Sequence, residues 1–205
     1  MLDNRVALLL HSDIGDASVK KYPAEPLNPD EVKALMAACS PRCPTGLRNR
    51  ALIVTLWRAG LRVAEALSLE TRDLDAGIIR VRKGKGRKAR TVAVDPEAWA
   101  VLQTWLERKA RLKISGPVFS TLKGQPVLSS YVRNLFKRIG QKAGLTKRIH
   151  AHGMRHSFAA GLADEKVDLR IIQQALGHTS LATTQRYVDH LRPTAVIDAL
   201  RARTW

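Results

Sequence analysis

The chain has 205 residues, 45% of them hydrophobic, and its 35 Lys and Arg outnumber 18 Asp and Glu to leave a formal net charge of +17. This length and apolar content suit one folded domain with at most a small appendage, and they exclude a wholly disordered chain. A positive field of this size favours polyanionic partners, either nucleic acid or an anionic membrane surface.

The membrane alternative is the weaker one, because the longest apolar runs, 6–10 and 51–56, are far too short to span a bilayer. No charged-then-apolar leader with a small-residue cleavage site opens the sequence. Cys39 and Cys43 have no zinc-ligand partners at matching spacing and read as reduced thiols of a cytosolic protein.

Residues 1–26 begin with a short apolar run and continue with Gly, Pro and charge without periodicity, the pattern of a segment or linker. Asn28-Pro29-Asp30-Glu31 then announces a helix. Asn28 suits its cap, Pro29 its first position, and the two acids its positive end. Residues 40–46 break the pattern, and 48–59 read as a second helix with Leu52, Ile53, Leu56 and Trp57 toward the core. Gly60 stops it, having no Cβ to resist a left-handed backbone. Arg62 opens a short helix to Leu69, with Glu65 placed to orient a cation or cap a turn.

A turn over 73–77 leads into two alternating stretches, 78–82 and 90–94, which predict a β-hairpin. Its tip carries Lys83, Gly84, Lys85, Gly86, Arg87 and Lys88. Two readings of that tip stand side by side: a solvated edge that deters aggregation, or a loop whose glycines admit a phosphate. Asp95 caps the next helix, which runs to about 113 with Trp99, Leu102, Trp105 and Leu106 inside. Residues 117–120 are extended. Ser129 or Ser130 caps a helix through 143, whose polar face bears Arg133, Lys137, Arg138 and Lys142. Charges of one sign there favour a surface that tracks phosphates.

A helix over 151–164 sets His152 and Arg155 three apart, on one face. Asp168 caps a helix through 176, residues 177–180 turn a corner, and Ser180 starts a helix holding Tyr187. The tail, 193–205, is predicted helical with Val196, Ile197 and Leu200 on one side. His150, His152 and His156 have a superficial metal spacing, but Lys147, Arg148 and Arg155 surround them and no carboxylate or thiolate completes a set. No metal is expected.

Two arginines, a lysine, two histidines and a tyrosine suit attack on a phosphodiester. Arginine forks hold anionic oxygens with a permanent charge. The ordered set Gly60-Leu61-Arg62, the lysine turn, His152 with Arg155, Leu176-Gly177-His178 and Tyr187 resembles the catalytic domain of the tyrosine recombinases, the phage integrase family, from about residue 27 to 187.

The resemblance implies an α+β, mainly helical fold with a small antiparallel β-sheet or hairpin at one edge. It implies the catalytic residues Arg62, Lys85, His152, Arg155, His178 and Tyr187, with Tyr187 the nucleophile and Lys85 the general acid. Lys83, Arg87, Lys88, Arg90, Arg133 and Lys137 are the expected DNA-binding residues. The implied function is site-specific DNA recombination through a 3′-phosphotyrosyl intermediate, without a cofactor. The alternatives are a type IB-like topoisomerase and a non-catalytic DNA-binding relative. Double-stranded DNA is the expected partner, with assembly as a tetramer on DNA through the C-terminal tail. The expected setting is the cytoplasm or nucleoid of a prokaryote, phage or mobile element. Residues 27–205 are expected to form the catalytic domain, residues 1–26 a linker, and the family's usual N-terminal core-binding domain is expected to be absent.

Overall fold

The structure, a computed structural model, describes residues 25–82, 89–191, 200–201 and 203. Helices α1 (Pro29–Ala37), α2 (Pro44–Arg58) and α3 (Val63–Leu67) lead into a 3-10 turn and a sheet of β1 (Leu74–Asp75), β2 (Ile78–Val81) and β3 (Arg90–Ala93). Then follow α4 (Pro96–Arg111), α5 (Ser129–Lys142), α6 (Ala151–Asp164), α7 (Leu169–Leu176) and α8 (Leu181–Leu191). The class is α+β, mainly helical, as the sequence implies.

Helix α2 is the centre. It packs against α1, α3, α4 and α6, and Ala51 through Leu56 are buried without interruption. The expected single apolar face is thus an underestimate. A helix enclosed by four neighbours is buried on most sides, here with Arg48, Asn49 and Thr55 as well as its apolar residues, and Trp57 is the partly covered residue at its end. Trp105 on α4 is fully buried, and its indole N–H donates to the Val118 carbonyl at 2.8 Å. That bond satisfies the ring's one polar atom. A smaller cluster around Ala159, Ile172 and Leu176 joins α6 to α7.

The caps read from sequence form as expected. Asn28 and Glu31 make a reciprocal capping box, and Asp95 and Asp168 each accept from a first-turn amide. Three local expectations are corrected. Helix α2 starts at Pro44, not at 48, because proline is pre-set for a helix's first position. The turn expected over 73–77 contains β1, which pairs antiparallel with β2 and makes the hairpin a three-stranded sheet. Neither Ser129 nor Ser130 caps α5: Leu128 holds that position without a side-chain bond. The hairpin register is Ile79 opposite Val92, and both are buried.

Candidate active site

Gly60 ends α2 at φ +59°, and a Cβ there would lie 2.2 Å from Phe158 Cδ1 on α6. The corner therefore needs glycine both for its backbone and for close approach of α6. It delivers Arg62 to the N-cap of α3. Glu65, one turn on, accepts from the Arg62 backbone N–H at 2.8 Å and from its guanidinium at 2.9 Å. Both functions foreseen for Glu65, capping a turn and orienting a cation, are met by one carboxylate.

Arg90 reaches the same carboxylate from β3. Its two terminal nitrogens donate to the two Glu65 oxygens at 2.9 and 2.8 Å, and its Nε donates to the Ala175 carbonyl at 2.9 Å. Burial alone would raise the Glu65 pKa, but the bonds from Arg90 and Arg62 outweigh it and hold the group at about 2. Arg90, expected to face DNA, is instead turned inward, with a side chain only 10% exposed. The alternating strand pattern of 90–94 gave no hint of this, because the acid that draws the side chain inward lies on a distant helix.

Arg155 is 2% exposed. Its guanidinium donates to the Gly60 carbonyl at 2.6 Å and to the Leu176 carbonyl. One buried cation thus fastens the corner of Arg62 to the corner of His178. Helix α6 begins where expected, but its cap is His150, whose Nδ1 accepts from the Gly153 N–H at 2.8 Å. Of the three histidines there, His152 and His156 meet edge to face at 4.5 Å. Burial of part of its ring, then the charges of Arg155, His150 and Arg62, hold His152 below the ordinary imidazole range.

Gly177 takes the left-handed conformation that closes α7 and turns the chain into His178. His178 Nδ1 lies 3.0 Å from the hydroxyl of Thr184, a fully buried residue on α8. Burial and the positive charges of Arg155, Arg62 and Arg90 press the His178 pKa down to about 4. The unfolded chain, with an imidazole near the usual 6.5, therefore binds more protons between about pH 6.5 and about pH 4. Stability is expected to fall as pH falls through that window. His178→Asn should flatten that part of a pH series of urea melts. An unaltered slope would assign the acid sensitivity to other groups.

Structure thus brings together Arg62, His152, Arg155 and His178, four of the six expected catalytic residues, and adds Glu65, Arg90 and Thr184 around them. Lys85, with Lys83, Arg87 and Lys88, lies outside the described residues. Tyr187 belongs to α8, three residues after Thr184, but its side chain lies outside them too. Arg133 and Lys137 are exposed on α5. Among the described residues no group of three His, Cys, Asp or Glu is placed to hold a metal ion, and no helix is long and apolar enough to cross a membrane.

This mainly helical domain matches the model of the phage integrase family over residues 25–192, and the chain belongs to that family. It is 38% identical over 198 residues to the tyrosine recombinase XerC of Halalkalibacterium halodurans, covering 90% of this chain and 64% of that one. To the tyrosine recombinase XerD of Ralstonia nicotianae it is 36% identical over 185 residues, covering 86% of this chain and 60% of that one. The chain therefore spans less than two thirds of the length of these relatives. Among solved structures it superposes on the XerA recombinase with a TM-score of 0.74 at 29% identity, covering 94% of this chain and 68% of that one. A post-cleavage complex of the XerH site-specific recombinase with its palindromic difH substrate gives a TM-score of 0.72 at 30% identity, covering 92% and 55%.

Proposed function

We propose that this chain carries the catalytic domain of a site-specific DNA recombinase that cuts and rejoins strands through a tyrosine. The observation that carries the reading is the convergence of Arg62 and Arg155 on two partly buried histidines, His152 and His178, whose pKa values burial and then those positive charges lower. A phosphodiester under attack gains charge on its non-bridging oxygens, and donors fixed in advance around it lower the barrier. Arg62 supplies a guanidinium for those oxygens, and Arg155, whose terminal nitrogens also hold the Gly60 and Leu176 carbonyls, its remaining N–H groups and its charge. In the tautomer that carries its proton on Nε2, neutral His178 would accept from Thr184 through Nδ1 and donate a further hydrogen bond to the phosphate.

The Tyr187 hydroxyl attacks phosphorus, and the P–O5′ bond breaks as the new P–O bond forms. The phenol proton passes to His152, which is neutral near pH 7 and so able to accept it. Lys85 protonates the departing 5′ oxygen. Because the phosphotyrosyl bond conserves the energy of the broken one, a 5′ hydroxyl of the partner strand can reverse the step and join strands without a nucleotide. Support for Tyr187 comes from α8 itself, tied to His178 through Thr184. Incubation with a nicked suicide substrate should trap a covalent protein–DNA adduct on a denaturing gel, and its absence on a cognate site would overturn the reading.

The catalytic unit is taken to begin at residue 27: Leu27 is buried, and its N–H donates to Ser157 on α6 at 2.8 Å. DNA would run along the exposed Arg133 and Lys137 and the Lys83–Lys88 tip, in the cytoplasm or nucleoid of a prokaryotic cell. Assembly as a tetramer on DNA would seat the tail of one copy, through Val196, Ile197 and Leu200, on a groove of about 840 Å³ lined by Trp57, Phe158, Leu162 and Ile171. Truncation after Leu191 should then leave a species smaller than four copies on DNA by light scattering. A tetramer surviving the truncation would exclude the tail.

A further inference from the structure

We propose that Arg90 is a positioning residue of the active site, not a DNA contact, and that its guanidinium binds three catalytic segments into one rigid unit. The proposal rests on the reading of this site as one that cleaves DNA strands. Each oxygen of Glu65 is shared. Oε1 accepts from the terminal nitrogens of Arg62 and Arg90, both at 2.9 Å, while Oε2 accepts from the Arg62 backbone N–H and from Arg90, both at 2.8 Å. Arg62 is therefore held by a carboxylate that Arg90 holds in turn.

The third donor of Arg90 goes to the Ala175 carbonyl in the last turn of α7, where a helix end attracts a cation. Gly177 lies directly on the Arg90 side chain: a Cβ on it would meet Arg90 Cδ and a terminal nitrogen at 3.1 Å. The corner that presents His178 thus rests on the same guanidinium. Arg90 is also the first residue of β3, directly after the stem of the tip carrying Lys85. The opposite stem ends at Arg82, which donates to buried Asp73. Arg82 and Arg90, on either side of residues 83–88, thus each make an arginine–carboxylate pair, and that of Arg90 is shared with Arg62.

A lysine cannot replace this arrangement. Three donors in a fixed plane serve both oxygens of one carboxylate and a carbonyl from another helix, whereas an ammonium is a point charge. The test uses the whole chain and compares Arg90→Met and Arg90→Lys with the parent. Misplacing catalytic groups by about 1 Å costs roughly 100-fold in rate. At saturating DNA the single-turnover rate of adduct formation should fall by about that factor in both variants. The salt dependence of DNA affinity should keep the parental slope, because no phosphate contact is lost. In Arg90→Met, the His178 pKa followed by NMR should move up, since one of the cations facing it is gone.

A flatter salt slope with an undiminished saturated rate would overturn the proposal and return Arg90 to the DNA-binding surface. So would a His178 titration identical to the parent's. If the parent itself forms no adduct, the functional reading fails, while the His178 titration still decides whether Arg90 holds the corner. If Arg90→Met does not fold, Arg90→Lys, which retains the charge, carries the rate and salt comparisons.

Discussion

Tyr187→Phe is expected to abolish the covalent adduct while leaving DNA binding intact. The substitution removes one oxygen from a ring otherwise unchanged, and no other atom of phenylalanine can bond phosphorus. An isolated phenol, with a pKa of about 10, is a poor nucleophile near neutrality. Its use therefore demands surrounding cations and a base to take the proton. In the proposed reaction Arg62, Arg155 and His152 supply that environment, and the two arginines are held by Glu65 and by the Gly60 and Leu176 carbonyls. The variant should accordingly retain the parental affinity and its salt dependence, with adduct below detection on the suicide substrate. An adduct that persists would place the nucleophile on another residue.

Arg155→Met is expected to be the most damaging substitution for stability and chemistry together. The guanidinium is buried between two corners, donating to the Gly60 and Leu176 carbonyls. Leaving two buried acceptors without donors costs about 1–3 kcal/mol each. In a domain of this size a loss of that order lowers Tm by roughly 10 °C. Removing one donor from an anion-stabilising site costs about 10²–10³-fold in rate. Arg155→Lys should recover part of the stability, since it keeps a charge, yet still lose about 100-fold in adduct formation for want of the planar fork. Parental rates in either variant would remove Arg155 from the reaction. Thermal melts alongside single-turnover assays separate the two losses.

How much of this protein could be read before its structure depends on how far along the chain each signal reaches. Asn28, Asp95 and Asp168 cap helices through bonds to amides two or three residues away. Gly60 and Gly177 take the left-handed backbone that few other residues tolerate. Such signals are complete within a few residues, so the helices over 29–191 and the pairing of 78–82 with 90–94 were legible from sequence. The mainly helical α+β class followed from them and from the resemblance.

Where a side chain goes once two distant segments meet was not legible. Arg90 carries the same charge as exposed Arg133, and nothing near it in sequence says that Glu65 will claim it. Thr184 looks like any small helix residue until His178 is folded beside it. Helix α2 showed one apolar face because its small and polar residues become buried only when four helices enclose it. A permanent charge leaves water only where a partner is waiting. Amino-acid order determined which cations this chain has, and the tertiary structure alone decided which of them surround the site and which remain on the surface.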